Sequence, residues 1–135
     1  MYLKDLNDAQ KALVLDILIH AMSASEDKSR SERERLEQFC DEMKLPMRSA
    51  PKLPLDAALK LLTEISNTVT LRKVLVELAM LAMEDLNYDA LERAFMNRFA
   101  ALTGLCRSEF EEIIRLLEEI MHARQQLDEL VNSPV

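Results

Sequence analysis

The chain has 135 residues, of which 49% are apolar and 30% are charged, a composition typical of a globular protein rather than a disordered one. This length predicts one domain, which buries about two thirds of the surface of the unfolded chain. A net charge of −7 disfavours binding to phosphate backbones, and no apolar stretch approaches the roughly 18 residues that a membrane span requires.

The N-terminal segment and the two cysteines bear on the compartment. The segment MYLKDLNDAQ lacks a basic stretch that leads into an apolar one, so neither a signal peptide nor a transit peptide is indicated. Cys40 and Cys106 lie far apart and form no CxxC motif, which is typical of free thiols in a reducing compartment. We therefore expect a cytoplasmic protein with no nucleic-acid partner and no membrane insertion.

Helix is the expected element along the whole chain. There are one glycine and four prolines, helix-forming residues are abundant, and no stretch shows the alternating pattern of a strand. The first helix is predicted to begin at Asn7, which forms a capping box with Gln10, and to run to about Ala24.

Capping residues and prolines set the limits of the next two helices. The second helix is predicted to begin at Ser29, with Glu32 at the capping-box spacing, and to end before Pro46. Pro54 is suited to the first turn of a third helix, because its fixed backbone angle is helical and its missing N–H is not needed there. Asn67 is expected to end that helix.

The fourth and fifth helices differ in character. The fourth, from about Thr70 to Met83, is apolar on nearly every side, which favours a position in the middle of the domain. The fifth is predicted to begin at Asp89, with Glu92 at the capping-box spacing. It is expected to end at Gly104, because glycine is the usual left-handed residue after a helix.

The sixth helix is predicted to be long. It begins at Ser108, with Glu111 at the capping-box spacing, and extends about 34 Å to Val131. Because its neighbours are shorter, Leu127, Leu130 and Val131 are expected to project beyond the bundle as an apolar strip. Such a strip indicates a protein partner or a homodimer through the C-terminal helix, and a frayed tail is the alternative.

The two halves of the chain resemble each other. Residues 14–45 align without a gap with residues 74–105, and the aligned positions include a shared Glu-Arg pair and shared helix caps. A chance match between amphipathic helices is the alternative. We expect an all-α, single-domain bundle of six to seven helices over residues 1–135, built from two pseudo-symmetric three-helix repeats at about 8–66 and 68–131. The first and fourth helices are expected to lie side by side at its centre.

The second half carries a family resemblance. The stretch LAMEDLNYDALERAFMNRFAALTGL resembles the TerB-like domain, whose signature is an apolar helix ending in Ala-Asp-Gly, an acidic stretch, Glu-Arg and a helix ending in Gly-Leu. Asp85, Glu92 and Arg93 match this signature, as do Gly104 and Leu105. The resemblance implies a cytoplasmic bacterial all-α domain, from a family associated with tellurite and other chemical stress, with acidic turns suspected of binding metal.

The first half resembles the same signature less closely. In the stretch HAMSASEDKSRSERERLEQFCDEMKL, Ser25 replaces the acidic residue and Lys44 replaces the closing glycine. Glu26 and Leu86 stand where the family has glycine after the signature acid. The first turn offers less negative charge than the second, so we expect no cation there.

The acidic turn of the second half is the candidate metal site. The spacing of Asp85, Asn87 and Asp89 begins like a Ca²⁺-binding EF-hand loop, but the glycine and the glutamate that such a loop needs at later positions are missing. A smaller site for Ca²⁺ or Mg²⁺ would use Asp85, Asp89 and Glu92, with water at the remaining positions. The alternative assigns Asp89 and Glu92 to helix capping.

Three functions are compatible with this sequence. The first is a non-enzymatic stress-response domain that acts by protein interaction, with a weak divalent-cation site on the acidic turn. The second is a structural or regulatory helical dimer without metal. The third is an enzyme that uses carboxylates between the repeats, for which Asp16, His20 and Glu77 are the candidates because they interrupt the apolar runs.

Overall fold

The fold was obtained as a computed structural model, which describes the chain over residues 2–24, 30–48, 50–84 and 90–134. Next to the gaps, several helical residues are described by their backbone alone: residues 23, 24, 30–32, 35, 82, 84 and 90–94.

All the regular structure in the described residues is helical, which confirms the all-α expectation. None of the described helices is both long enough and apolar enough to cross a membrane. A short 3₁₀ turn at Leu3–Asp5 precedes six α-helices in the described ranges: α1 (Asp8–Ala24), α2 (Arg30–Met43), α3 (Leu55–Ile65), α4 (Thr68–Glu84), α5 (Ala90–Thr103) and α6 (Arg107–Val131).

The helices pack around one apolar core. α1 packs chiefly against α3, α4 packs chiefly against α6, and α5 contacts α1, α3 and α4. α1 and α4 touch each other, but each has a closer-packed partner, so their predicted central pairing is a minor contact. Fully buried side chains from α1 to α5 form the core, among them Ile17, Leu18, Met43, Leu62, Leu78 and Phe99.

The start of α1 confirms the predicted capping box. The N–H of Gln10 donates to Oδ1 of Asn7 at 2.8 Å, and the N–H of Asn7 donates to Oε1 of Gln10 at 3.0 Å. Capping bonds of this kind satisfy backbone donors that the first helical turn leaves unpaired. Nε2 of Gln10 also donates to Oγ of Ser66 at 3.1 Å, which ties the start of α1 to the end of α3.

Two of the predicted helix ends are wrong. Asn67 does not end α3, because α3 already ends at Ile65 and Oδ1 of Asn67 accepts the N–H of Thr70 at 2.8 Å. Asn67 therefore caps the start of α4. Ser108 does not open α6, because Cys106 is the N-cap and the helix begins one residue before Ser108.

Left-handed residues follow α2 and α5. Gly104 has φ 72°, as its predicted role requires, and Lys44 after α2 has φ 57°. At the latter position the N–H of Leu45 donates to the carbonyl of Cys40 at 2.9 Å, and the N–H of Lys44 donates to the carbonyl of Asp41 at 3.2 Å. These two bonds form the Schellman motif that commonly ends a helix.

The helix boundaries bear on the two-repeat prediction. α1 and α4 have 17 residues each, and α2 and α5 have 14 each. Both pairs begin 60 positions apart, at 8 and 68 and at 30 and 90. However, α3 packs well against α5 while, among the described residues, the corresponding pair of α2 and α6 does not. The structure does not confirm the two repeats, which stay a prediction, and the proposed helix starts at Ser29 and Asp89 lie outside the described residues.

Candidate interaction surface

The predicted cation site lies outside the described residues. Asp85 and Asp89 fall in the undescribed segment 85–89, and only the helical backbone of Glu92 is described. In the described part of the chain, no group of three or more His, Cys, Asp or Glu side chains is arranged to hold a metal ion. The site for Ca²⁺ or Mg²⁺ stays a prediction.

Asp16 fastens the loop between α2 and α3 to α1. Its side chain is 4% exposed and pairs with the guanidinium group of Arg48. The same carboxylate accepts the backbone N–H of Lys52 at 2.9 Å, and Arg48 also donates to the carbonyl of Ala50 at 3.0 Å. The buried carboxylate is thus satisfied by the loop that it holds in place.

His20 and Glu77 make comparable structural contacts. Nε2 of His20 lies 2.8 Å from the carbonyl oxygen of Leu53, in the loop that Asp16 also holds. Oε1 of Glu77 accepts the backbone N–H of Tyr2 at 2.6 Å, which holds the N-terminal segment against α4. Since Glu77 bonds to a different segment from the other two, these contacts do not join the three proposed catalytic residues in one site.

The C-terminal half of α6 presents large apolar side chains to solvent. α6 has 25 residues and extends about 37 Å, whereas α1 and α4 have 17 residues each. The exposed fraction is 59% for Leu127, 73% for Leu130 and 72% for Val131, which confirms that the predicted strip is exposed. Leu116 at 44% and Ile120 at 52% continue the strip towards the bundle.

Five exposed side chains follow a regular spacing along α6. Leu116, Ile120, Ala123, Leu127 and Leu130 are separated by four, three, four and three positions, and all are exposed. We call this row the α6 seam. Alternation of three and four positions is the pattern of helices that pack lengthwise against another helix.

An apolar groove of about 380 Å³ lies beside the α6 seam, between α4 and α6. Tyr2 and Arg124 lie among the residues that line it. Its other walls are apolar side chains from the two helices: Val76, Met80, Ile113, Leu116, Leu117, Ile120 and Met121. The groove and the α6 seam form one continuous apolar surface, because they share Leu116 and Ile120.

Charged side chains border the α6 seam. On one flank, Arg115 bonds to Glu112 and, at 2.5 Å, to Glu119. Arg124 lines the groove, and the helical repeat places it on the opposite flank of the seam from Glu119. The middle of the α6 seam is therefore bordered by an acid on one side and a base on the other.

A second cavity, of about 500 Å³, lies between α5 and the first turns of α6. Its two charged side chains, Arg107 and Glu111, bond to each other at 3.1 Å. The remaining lining residues are Asn97, Ala100, Ala101, Leu105 and Phe110. The charged groups of this cavity are paired with each other and Asn97 is the remaining polar side chain, so the cavity offers few polar groups to orient a substrate.

The two free cysteines differ in their surroundings. Burial, followed by the negative charge of Asp41, raises the pKa of the Cys40 thiol. Cys106 is exposed, and its Sγ lies 3.0 Å from Oγ of Ser108. The hydrogen bond from Ser108, supported by the backbone N–H groups of Ser108 and Glu109, lowers the pKa of the Cys106 thiol.

Comparisons with protein-family models, with curated proteins and with solved structures found no match for this chain.

Proposed function

We propose that this chain is a non-enzymatic protein-interaction domain, and that the α6 seam with its groove binds an amphipathic helix of a partner protein. The observation that carries the proposal is the exposure of Ile120, Leu127 and Leu130, each more than half accessible to solvent. Large contiguous apolar surface on a water-soluble fold is typical of a binding site.

A helix suits this surface better than an extended peptide. The α6 seam repeats every three or four residues, so a second helix with the same spacing places its side chains between those of the seam. An extended peptide presents a side chain to one face every second residue and does not match this row. Burial of half of a leucine or isoleucine side chain contributes about 1 kcal/mol, so the four such side chains of the α6 seam supply several kcal/mol and Ala123 adds less.

The polar residues inside the bundle support a binding role over a catalytic one. Asp16 is paired with Arg48, His20 faces the carbonyl of Leu53, and Glu77 accepts from the backbone of Tyr2. None of the three lines the apolar groove or the second cavity. An active site requires titratable groups that converge on a cavity, and these three residues serve to hold neighbouring segments instead.

The resemblance to the TerB-like domain adds a biological setting to the proposal. On that basis the interaction belongs to a bacterial response to tellurite or other chemical stress, in the cytoplasm, with the weak cation site at Asp85, Asp89 and Glu92. The apolar helix, the Glu-Arg pair and the closing Gly-Leu of the second half support this part of the proposal.

Site-specific photo-crosslinking in the native cell tests the proposed surface. Benzophenone side chains are introduced in place of Leu127, within the α6 seam, and in place of Glu118, which is exposed on the opposite side of the same helix. The probe at Leu127 is expected to yield a discrete protein adduct, mapped by mass spectrometry to a helix with apolar residues three and four positions apart. An absence of adducts, or the same adducts from the probe at Glu118, would contradict the proposal.

A further inference from the structure

We infer that the helix seated on the α6 seam is α6 of a second copy of this chain, in parallel orientation and in register. This inference rests on the proposed function, because it names the occupant of the same surface. The contact is then a two-stranded coiled coil along α6, with a twofold axis parallel to the two helices.

The spacing of the α6 seam supports a second copy. Written as heptads, Ile113, Ile120 and Leu127 occupy the a positions, while Leu116, Ala123 and Leu130 occupy the d positions. Side chains at a and d fit between four residues of a facing helix that repeats with the same period. A twofold interface needs one patch that is complementary to itself, and a heptad row satisfies this condition.

The residue types at these positions favour two parallel strands. Isoleucine at a with leucine at d packs best in a parallel dimer. Leu116 lies at an exposed d position, while Ile113, at the a position before it, packs partly against the core of its own bundle. Ile120 follows at the next a position. Ala123 at the central d position leaves room for the two helix backbones to approach closely.

The charges beside the α6 seam select the same orientation. Glu119 occupies a g position and Arg124 the e position five residues later. In a parallel, in-register pair, the g residue of one helix faces the following e residue of the other. Each Glu119 therefore faces the partner's Arg124, and the dimer contains two such ion pairs. In an antiparallel pair, g positions face g positions and e positions face e positions. Glu119 then lies near Gln126 of the other copy, and Arg124 lies near Leu117 of the other copy. Neither contact is an ion pair.

The packing of α6 on its own bundle leaves this contact open. α6 meets the bundle through the buried Phe110 and Leu117 and through the partly buried Ile113, Ile114 and Met121. Leu116, Ile120 and Leu127 lie on the adjacent side of the helix and are exposed. Two bundles therefore fit on the outer sides of a central pair of α6 helices.

Light scattering of charge-reversed variants tests the proposed ion pairs between Glu119 and Arg124 of the two copies. The purified chain is expected to have twice its 15.5 kDa mass, and to dissociate into monomers on dilution. Glu119→Arg and Arg124→Glu each replace two attractive pairs by repulsive ones, which weakens dimerisation by about tenfold. The double variant restores opposite charges and is expected to return within about twofold of the parent chain. Glu118→Arg, an equal charge change on the exposed opposite side, leaves the dimer unchanged.

Disulfide trapping tests the orientation. In a Cys106→Ser background, Ala123→Cys places two thiols face to face across a parallel dimer, so mild oxidation is expected to give a covalent dimer. Antiparallel packing instead brings position 123 near position 120 of the partner, and a disulfide forms only when Ile120→Cys and Ala123→Cys chains are mixed.

The outcomes separate this inference from the proposed function. A chain that stays monomeric at every concentration overturns the inference, while a photo-adduct from position 127 to a different protein leaves the proposed function intact. A dimer that traps only through the mixed pair, or that ignores both charge reversals, overturns the parallel orientation. Monomeric chain together with no photo-adduct overturns both.

Discussion

At the scale of single residues, Cys106 is the thiol that the fold makes reactive. It is exposed at the N-cap of α6, and the hydrogen bond from Ser108 lowers its pKa, whereas burial raises the pKa of Cys40. We predict that iodoacetamide modifies Cys106 faster than Cys40 at neutral pH, because the thiolate is the nucleophile. Peptide mass spectrometry of quenched samples measures the two rates.

The rate of Cys106 modification is expected to increase with pH. The rate at Cys106 is low while the thiol is protonated and rises as pH increases through its folded pKa. Because that pKa is lowered, the midpoint is expected at lower pH in the folded chain than in the chain unfolded by urea. Ser108→Ala removes the principal cause and is expected to move the midpoint upwards. Equal midpoints in the folded and unfolded chains would refute this assignment.

Lys44 and Gly104, both left-handed, lie at equivalent positions just after a helix. Lys44 pays a steric cost at φ 57° that glycine avoids, so Lys44→Gly is expected to raise the free energy of unfolding by about 1 kcal/mol, or about 4 °C in Tm. Gly104→Ala, at φ 72° with no heavy atom within 4 Å of the added Cβ, is expected to lower it by a similar amount. Thermal unfolding followed by circular dichroism measures both, and shifts of the same sign would contradict the explanation.

The cation prediction is also testable at single residues. If Asp85, Asp89 and Glu92 hold Ca²⁺ or Mg²⁺, a concentration ten times the Kd stabilises the fold by about 1.4 kcal/mol and raises Tm by about 4 °C. Asp85→Ala is expected to abolish the shift, and Asp128→Ala, at an exposed position on α6, is expected to retain it. An unchanged Tm in the parent chain, or equal shifts in all three proteins, would remove the site.

At the scale of elements, the loop between α2 and α3 depends on one buried carboxylate. Asp16→Ala removes the carboxylate that pairs with the Arg48 guanidinium and accepts the Lys52 N–H, so we predict a loss of about 3 kcal/mol in unfolding free energy. Asp41→Ala, at an exposed position on α2, is expected to cost less than about 0.5 kcal/mol. Urea titration measures both losses, and equal losses would exclude the role assigned to Asp16.

The six helices of the described ranges were predictable, but two of their ends were not. The capping box of Asn7 and Gln10 and the stop at Gly104 follow from residue chemistry, and the structure contains both. Asn67 suits either the end of one helix or the start of the next, and only the backbone of the short link decides between them. Ser108 is a better capping residue than Cys106, yet Cys106 is the N-cap and α6 begins at Arg107.

The exposed apolar residues of α6 were only partly predictable from the sequence. Leu127, Leu130 and Val131 were recognisable because they lie beyond the length of the neighbouring helices. Leu116 and Ile120 have the same residue types as core positions, yet they lie on the side of α6 that the neighbouring helices leave exposed. A periodic pattern gives the apolar face of a helix, but not which part of that face a neighbour covers.

At the scale of the whole molecule, one glycine and abundant leucine and alanine suffice to predict an all-α bundle, whereas the pairing of its helices is not encoded so directly. α1 packs chiefly on α3, a pairing that the apolar pattern of the helices did not predict. Exposed ion pairs such as Arg98 with Asp56, at 2.6 Å, join helices without contributing much stability. The apolar core and the loop contacts hold the bundle together. The exposed side chains of the α6 seam do not contribute to that core.

The most direct test is whether a protein covers the α6 seam in the native cell. The measured quantity is the chemical accessibility of position 127. Leu127→Cys and Glu118→Cys, each in a Cys106→Ser background, are treated with a small maleimide in intact cells and after purification under dilute conditions. Position 127 is expected to be protected in the cell and reactive when diluted, while position 118 reacts equally in both. Equal reactivity of position 127 in the cell and in dilute solution would contradict a role for α6 in protein interaction.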